Sequence, residues 1–224
     1  MNIVLLCNKS KSEVRVVYNI IASYGHAVTI SDDKPDEKFL SQFELGVSWF
    51  FRHLLKPEHI KAVTRGVINN HIGYLPTGRG ADPAVWSIVN TEPAGVTMHW
   101  IDAGIDTGPI IAQRKTESFP TDTWGDLYPR LVNDMLHLFE DTWKYLEETD
   151  FQPKVLPQRD GDYLPRRSID AFVIDDLETK FGRGVARAFV NQLRSRTFPG
   201  KPGCYIRDTD GKKIYVRVTL EKES

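Results

Sequence analysis

Residues 2–31, NIVLLCNKSKSEVRVVYNIIASYGHAVTIS, decide the fold. Asn2–Cys7 is an unbroken apolar run, the signature of a strand buried on both faces. Val14, Val17, Ile20, Ile21 and Tyr24 then recur at helical spacing, and Gly25 ends the helix. His26–Ser31 alternates as a strand does. Strand, helix, strand in so short a stretch requires a crossover connection, and hence parallel pairing. The pattern continues outward. DDKPDEK is a polar turn leading into a short helix, Leu45–Phe50 is a third strand, Pro57 opens another short helix, and Gly66–Asn69 is a fourth strand. The predicted fold is α/β, with a Rossmann-like, open and mostly parallel sheet. Such sheets bind ligands outside the carboxyl ends of their strands. Asn69 stands at one such end and His71 just beyond it.

Past this point the periodicity changes. A helix is expected over Ala84–Val89 after Pro83. Strands are expected at Gly95–Ile101 and Ile110–Arg114, with Asp102–Gly108 as the loop between them. Thr123 can cap a long helix from Trp124 to Glu147, with Leu127, Leu131, Leu138, Phe139, Thr142 and Leu146 on one side. Residues 149–167, TDFQPKVLPQRDGDYLPRR, are polar and proline-rich and read as a linker. A helix over Gly182–Arg194, a loop at Thr197–Gly203, and a hairpin of Cys204–Arg207 with Lys213–Leu220 around Asp208-Thr209-Asp210-Gly211 complete the chain. The expected organisation is a catalytic domain over residues 1–150 and a small C-terminal extension over 151–224.

Composition excludes several classes. Lys and Arg total 29 against 30 Asp and Glu, so no basic surplus recommends nucleic acid. No apolar run approaches the ~18 residues of a membrane helix. The start of the chain has neither a basic leader nor a small-residue cleavage site. Cys7 and Cys204 are far apart and lack metal-ligand spacing, which suits two free thiols in a reducing, cytoplasmic setting. The other histidines (26, 53, 59, 99, 137) form no ligand cluster with cysteine, and no metal is expected.

The chemistry lies in two blocks, VINNHIGYLPTGRGADPAVWSI at 67–88 and GVTMHWIDAGIDTGPIIAQ at 95–113. They supply an amide (Asn69), an imidazole (His71) and a carboxylate (Asp106). An amide can donate to an oxyanion, an imidazole can handle a proton, and a carboxylate can orient the imidazole and favour its charged form. Taken singly, each residue also has a plain structural use: Asn69 as a turn cap, His71 as a satisfied half-buried histidine, Asp106 as part of a glycine-flanked turn.

Both blocks resemble the folate-dependent formyltransferases, the family of the glycinamide ribonucleotide and methionyl-tRNA formyltransferases. Within it they are most similar to the enzymes that N-formylate nucleotide-linked amino sugars. The resemblance is strong over about residues 45–115 and extends elsewhere in layout. DAGIDTGPII resembles the family's Asp-loop, and LPTGRGADP its Leu-Pro, Arg-Gly and Ala segment. Gly73 departs from the pattern, since many relatives have serine there, and Tyr74 replaces a leucine. The resemblance implies 10-formyltetrahydrofolate as co-substrate. It implies a pterin pocket built by Phe50, Phe51, Arg52, His53 and Leu54 on one side and the Ile101–Asp106 loop, with Asp102 and Ile105, on the other. Phe50, Phe51 and Leu54 are equally open to a core role.

The choice of amine rests on further details. The segment after the first strand, Asn8-Lys9-Ser10-Lys11-Ser12, lacks the glycine-rich phosphate loop usual in glycinamide ribonucleotide enzymes. The tail is too short for the C-terminal barrel of the tRNA enzymes. HIGYLPTGRGADPAVWSI resembles the amino-sugar branch, which implies a nucleoside-diphosphate-linked amino-dideoxy sugar, dTDP-4-amino-4,6-dideoxyglucose foremost, feeding surface-polysaccharide synthesis such as lipopolysaccharide O-antigen. Asn8, Lys9, Arg15, Tyr74, Thr77, Gly78, Arg79 and Asp82 are the candidate contacts. Arg79 leads them because its planar fork suits a phosphate; the alternative is a structural arginine that bridges loop carbonyls. A glycinamide ribonucleotide enzyme, or a non-catalytic nucleotide-sugar or folate binding protein, are the other readings. A lone hairpin needs cover for its apolar face, and the resemblance implies a homodimer through the C-terminal region, with cover from the chain's own domain as the alternative.

Overall fold

The computed structural model describes residues 1–164, 185–207 and 210–221. A six-stranded sheet forms the centre, in the order β2-β1-β3-β4-β6-β7. β1 (Asn2–Cys7), β2 (Ala27–Ser31), β3 (Leu45–Trp49) and β4 (Val67–His71) pair in parallel. β6 (Gly95–Trp100) and β7 (Ile110–Lys115) are added antiparallel beside β4. A mostly parallel α/β sheet is therefore present as the sequence predicts.

The period-2 alternation of β1 divides its side chains between two cores. Ile3, Leu5 and Cys7 join one with α1 (Val14–Ser23) and α5 (Trp124–Glu148). Val4 and Leu6 join the other with α2 (Glu37–Leu40) and α3 (Pro57–Ala62). Both faces are thus closed, which is why β1 has no polar side chain between its ends. The 25 residues of α5 extend about 38 Å. Thr123 and Asp126 form a capping box at its start, and Leu127, Leu131, Leu138, Phe139, Thr142 and Leu146 are buried along one side, as expected.

Several boundaries differ from the sequence reading by a few residues, and three of them lie at or near the site or in the tail. β3 stops at Trp49 because Phe50 takes a left-handed backbone conformation with φ 52°. β4 runs on through His71, because β6 pairs with it as far as His71 opposite Thr97. β10 (Lys213–Val216) ends earlier than predicted and pairs with β9 (Cys204–Arg207). The turn residues Asp208 and Thr209, and Gly182–Gly184 of the predicted helix, lie outside the described residues.

A larger correction concerns residues 149–167. Over its described part this segment is a strap laid across the sheet domain, not a loose linker. Leu156 bridges to Ile110. Tyr163–Leu164 (β8) pairs in parallel with Arg79–Gly80 (β5). A Cβ on Gly161 would meet the carbonyl oxygen of Pro76 at 2.4 Å, so glycine permits that close approach. Short polar residues with few apolar anchors concealed this packing, because the strap is held by hydrogen bonds.

Beyond it, Val185–Ser195 (α6) packs against α4 (Pro83–Asn90). Arg194 donates to the carbonyl of Asp122 at 2.7 Å, and Phe198 lies 4.7 Å from the Trp124 ring. The hairpin of β9 and β10 is less covered: Ile214 and Tyr215 each remain 48% exposed.

Candidate active site

Asn69 and His71 are alternate residues of β4, so both side chains leave the same face of the sheet. Asp106 reaches them from the loop between β6 and β7. It holds a left-handed backbone conformation, φ 53°, uncommon for a residue with a side chain. The loop can fold back this far because Gly108 has no β-carbon; one would fall 1.8 Å from the carbonyl oxygen of Trp100. The Asp106 carboxylate accepts from the backbone N–H of Gly80 at 2.9 Å and from Asn69 Nδ2 at 3.3 Å. Its Oδ2 lies 3.5 Å from His71 Nδ1.

The orientations are dictated by chemistry. A carboxylate only accepts, so the nitrogen of the Asn69 amide must face Asp106. His71 Nε2 lies 2.9 Å from the carbonyl oxygen of Gly78 and must donate to it. In the neutral ring Nδ1 is then the basic nitrogen, on the edge facing Asp106.

A fourth member of the cluster is one the sequence reading set aside. His99 stands opposite Asn69 in the β4–β6 register and is 2% exposed. Its Nδ1 donates to the carbonyl of Trp100 at 2.8 Å, which leaves Nε2 to accept from Asn69 Nδ2 at 3.2 Å. His99 Nε2 is also 3.5 Å from Asp106 Oδ1. The available signal was a histidine within a strand of otherwise apolar and small residues. Its partner became visible only once the β4–β6 pairing was known, because sequence spacing does not give antiparallel register.

Burial is the largest influence on both acid–base partners, and it acts on each differently. It drives the His71 pKa down, Asp106 pulls it up, His99 pushes it down further, and the net result lies below the ordinary 6.5. Asp106 does favour the charged imidazole, as the sequence reading has it. The carboxylate opposes the effect of burial without overcoming it, and the resting imidazole is neutral. Burial alone would raise Asp106, but the neighbouring His71 and His99 rings and the Gly80 N–H together hold it well below the usual carboxylate range.

Two cavities meet at these residues. One, of about 350 Å³, is lined by Phe50, Phe51, Asn69, His71, Gly80, Asp82, Asp106, Trp124 and Tyr128. The other, of about 120 Å³, is lined by Phe51, His53, Leu54, His99, Asp102, Ile105, Asn69 and Asp106. Asn69, Asp106 and Phe51 thus border both. Of the residues expected around a pterin, Phe51, His53, Leu54, Asp102 and Ile105 gather in the smaller cavity. Phe50 faces the larger one, and Arg52 lines neither. Leu54 is 69% exposed, which removes the core alternative for it. The Asp102 carboxylate accepts from Thr107 Oγ1 at 2.5 Å and Gly104 N–H at 3.0 Å, and so shapes its own loop.

The other expected contacts divide. Asp82 lines the larger cavity, whereas Tyr74, Thr77 and Gly78 line a small neighbouring gap of about 10 Å³. Thr77 Oγ1 donates to the carbonyl of Tyr74 at 2.7 Å. Arg79 is corrected to the structural role. It is 8% exposed, and its guanidinium donates to Gln158 Oε1 and to the carbonyls of Arg159 and Gly161 at 2.7–3.2 Å. Arg79 lines neither cavity. Asn8 Oδ1 accepts from Ser10, and Lys9 pairs with Asp32 at 2.8 Å. Lys9 and Arg15 line an open groove of about 650 Å³ beside the first strand. Lys11, not among the expected residues, joins that groove to the cleft: its Nζ donates to Tyr128 OH at 2.9 Å and lies 4.6 Å over the Phe50 ring. Trp124 and Tyr128, one turn apart on α5, were also missed, since an aromatic i, i+4 pair reads as core from sequence. Among the described residues no group of histidine, cysteine and acidic side chains could hold a metal, and no helix is long and apolar enough to cross a membrane.

An α/β sheet thus brings an amide donor, a neutral buried imidazole and an ionised carboxylate to the meeting of two cavities. The chain belongs to the formyl transferase family, which matches residues 8–139. Residues 182–222 match the N-formyltransferase dimerization C-terminal domain. The chain is 33% identical over 156 residues to the dTDP-4-amino-4,6-dideoxyglucose formyltransferase of Mycobacterium tuberculosis, covering 70% of this chain and 65% of that protein. It thus spans just under two thirds of that curated relative. A formyltransferase from Anoxybacillus kamchatkensis, solved with UDP-4,6-dideoxy-4-formamido-L-AltNAc and tetrahydrofolate, superposes with a TM-score of 0.71 at 29% identity, over 88% of this chain and all of that one. A 4-N formyltransferase from Francisella tularensis superposes with a TM-score of 0.83 over 99% of this chain and 98% of its own; at 23% identity this likeness speaks for the fold alone.

Proposed function

We propose that this chain transfers the formyl group of 10-formyltetrahydrofolate to the amine of a nucleoside-diphosphate-linked amino-dideoxy sugar. The observation that carries the reading is that Asn69 and Asp106 border both cavities, as residues at the point of transfer between two substrates must. Family membership and relatives named for, or solved with, amino-sugar nucleotides and tetrahydrofolate support it. The folate would occupy the side built by Phe51, His53, Leu54, Asp102 and Ile105. The sugar would occupy the larger side, under Trp124 and Tyr128. dTDP-4-amino-4,6-dideoxyglucose is the finer reading of the sugar, a cytoplasmic step of surface-polysaccharide synthesis its setting, and a homodimer joined through the C-terminal region its assembly.

The mechanism follows from the geometry. The neutral amine attacks the formyl carbon, and charge develops on the formyl oxygen. Asn69 Nδ2 exchanges its long contacts to His99 and Asp106 for a stronger bond to that oxyanion. Removing such a donor costs about 10²–10³ in rate. The amine proton passes to His71 Nδ1, and the imidazolium so formed lies against the Asp106 carboxylate. The oxyanion then collapses, the bond from the formyl carbon to the folate nitrogen breaks, and that nitrogen leaves with the proton held on His71, which returns the ring to its neutral form. No step needs a metal.

Tetrahydrofolate release from purified protein tests the reading, with dTDP- and UDP-linked amino-dideoxyhexoses compared against glycinamide ribonucleotide. Turnover with an amino-sugar nucleotide alone is expected. Efficient formylation of glycinamide ribonucleotide would replace the substrate assignment, and binding without turnover of any amine would make the chain a binding protein.

A further inference from the structure

We propose that Gln158, on the strap and outside both cavities, is a positioning residue that holds Asp106 in its working conformation. The inference rests on the catalytic reading of Asp106 given above. Asp106 is a non-glycine residue at φ 53°, and a strained backbone persists only where its surroundings fix it. The Gln158 amide supplies that fixing. Its nitrogen donates to the backbone carbonyls of Asp106 at 3.0 Å and Gly108 at 2.6 Å, on both sides of the turn. Its oxygen accepts from Arg79 Nε at 3.2 Å and Nη2 at 2.9 Å. Reversing the amide would set oxygen against two carbonyls and nitrogen against a guanidinium, so only one orientation is possible.

Arg79 completes the device. Its Nη1 and Nη2 take the carbonyls of Gly161 and Arg159, binding the strap to the strand whose Gly80 N–H bonds the Asp106 carboxylate. Backbone and side chain of Asp106 are therefore held by the two halves of one clasp, and the Arg79–Gln158 pair joins the halves. The sequence between 156 and 164 thus serves the site although it lies some fifty residues beyond it. The acid–base partner that would report a failure of the clasp is His71, faced by Asp106 from the β6–β7 loop and by His99 from β6. Asp106 pulls the imidazole towards its charged form, so a displaced carboxylate lets it deprotonate more easily.

Gln158→Glu is the discriminating variant. It keeps the shape and the partner for Arg79 but places a carboxylate oxygen where two carbonyls need a donor. Gln158→Met removes the same bonds without a change of charge. Both are expected to lower kcat at least about tenfold while KM for folate and amine changes less than about threefold, and to move the acid limb of kcat to lower pH. In an Asp106→Asn background neither should lower kcat further. Variants with wild-type kcat and limb, or losses that add fully to that of Asp106→Asn, would overturn the inference while leaving the catalytic reading intact. Wild-type turnover in Asp106→Asn alone would instead overturn the reading on which it rests.

Discussion

Gly73 lies against the edge of the His71 imidazole: a β-carbon at Gly73 would stand 2.4 Å from Nε2 and 2.7 Å from Cδ2 of that ring, and 3.0 Å from the carbonyl oxygen of Gly78. The ring cannot step aside, because Nε2 is bonded to that same carbonyl and the residue is 8% exposed. Glycine at this position is thus built into how this chain seats its histidine. Gly73→Ser is expected to fold and to lower kcat at least about tenfold by displacing the imidazole, a misplacement of the size to which transfer geometry is sensitive. Steady-state kinetics with thermal unfolding as a control check it; wild-type kcat would mean that the ring does not depend on this glycine.

Asn69→Ala, His71→Ala and Asp106→Asn should each reduce turnover by about 10² or more, without loss of fold, since all three are polar groups at a cleft. pH dependence separates their roles. With the His71 pKa below 6.5, the acid limb of kcat should fall below that value. Asp106 raises His71 against burial, so its replacement should move the limb lower still. A limb at or above pH 6.5, or one that rises in Asp106→Asn, would contradict Nδ1 as the proton acceptor.

His99→Leu probes the residue concealed by antiparallel register. The variant removes the acceptor that Asn69 Nδ2 meets at 3.2 Å and leaves the Trp100 carbonyl without its donor. kcat is expected to fall by about tenfold or more. Because His99 acts through Asn69, the loss should largely vanish in an Asn69→Ala background, as residues that act as a unit are non-additive. Full additivity in the four-variant cycle would assign His99 to packing alone.

Stability should also depend on pH, with a fixed sign. His71 and Asp106 both have folded-state values lowered from the ordinary ones. The folded chain therefore binds fewer protons than the unfolded chain, and stability is lost as pH falls. The histidine contribution is fully present above its ordinary 6.5 and declines below it; the carboxylate contribution declines only in stronger acid. Tm measured at pH 7.5 and pH 5 should fall in the wild type and fall less in His71→Gln. An equal fall in both would show that His71 is not a source of the acid sensitivity.

The parts of the molecule that sequence revealed are those with a period. The apolar run of Asn2–Cys7 and the one-sided stripe from Leu127 to Leu146 are repeated apolar choices, and each yielded its element. Asn69, His71 and Asp106 were legible because two blocks carried them together. Arg79, Gln158 and His99 were not, since each takes its role from a partner in another segment: a strap carbonyl, a loop carbonyl, a cross-strand amide. Lys11, Trp124 and Tyr128 escaped for a related reason. A lysine after a strand and aromatics on a helix have common structural uses, and only the closure of α5 over Phe50 brings the two aromatics to the larger cavity and Lys11 to Tyr128 beside it.

The last expectation concerns assembly. α6 is docked on the sheet domain through Asn191, Arg194 and the following Phe198, but the hairpin beyond it leaves Ile214 and Tyr215 half exposed. Tyr205 and Tyr215 pack edge-on across the strands at 6.1 Å, which does not by itself stabilise two strands in water. A second copy meeting the first about a two-fold axis would cover the same patch on each, and the match of residues 182–222 to a dimerization domain supports this. Truncation after Arg196 should therefore give a monomer, and Ile214→Asp with Tyr215→Asp should weaken the full-length dimer while leaving far-UV circular dichroism unchanged. Multi-angle light scattering decides between the alternatives: a monomeric full-length chain, or a clean dimer after truncation, would place the contact elsewhere.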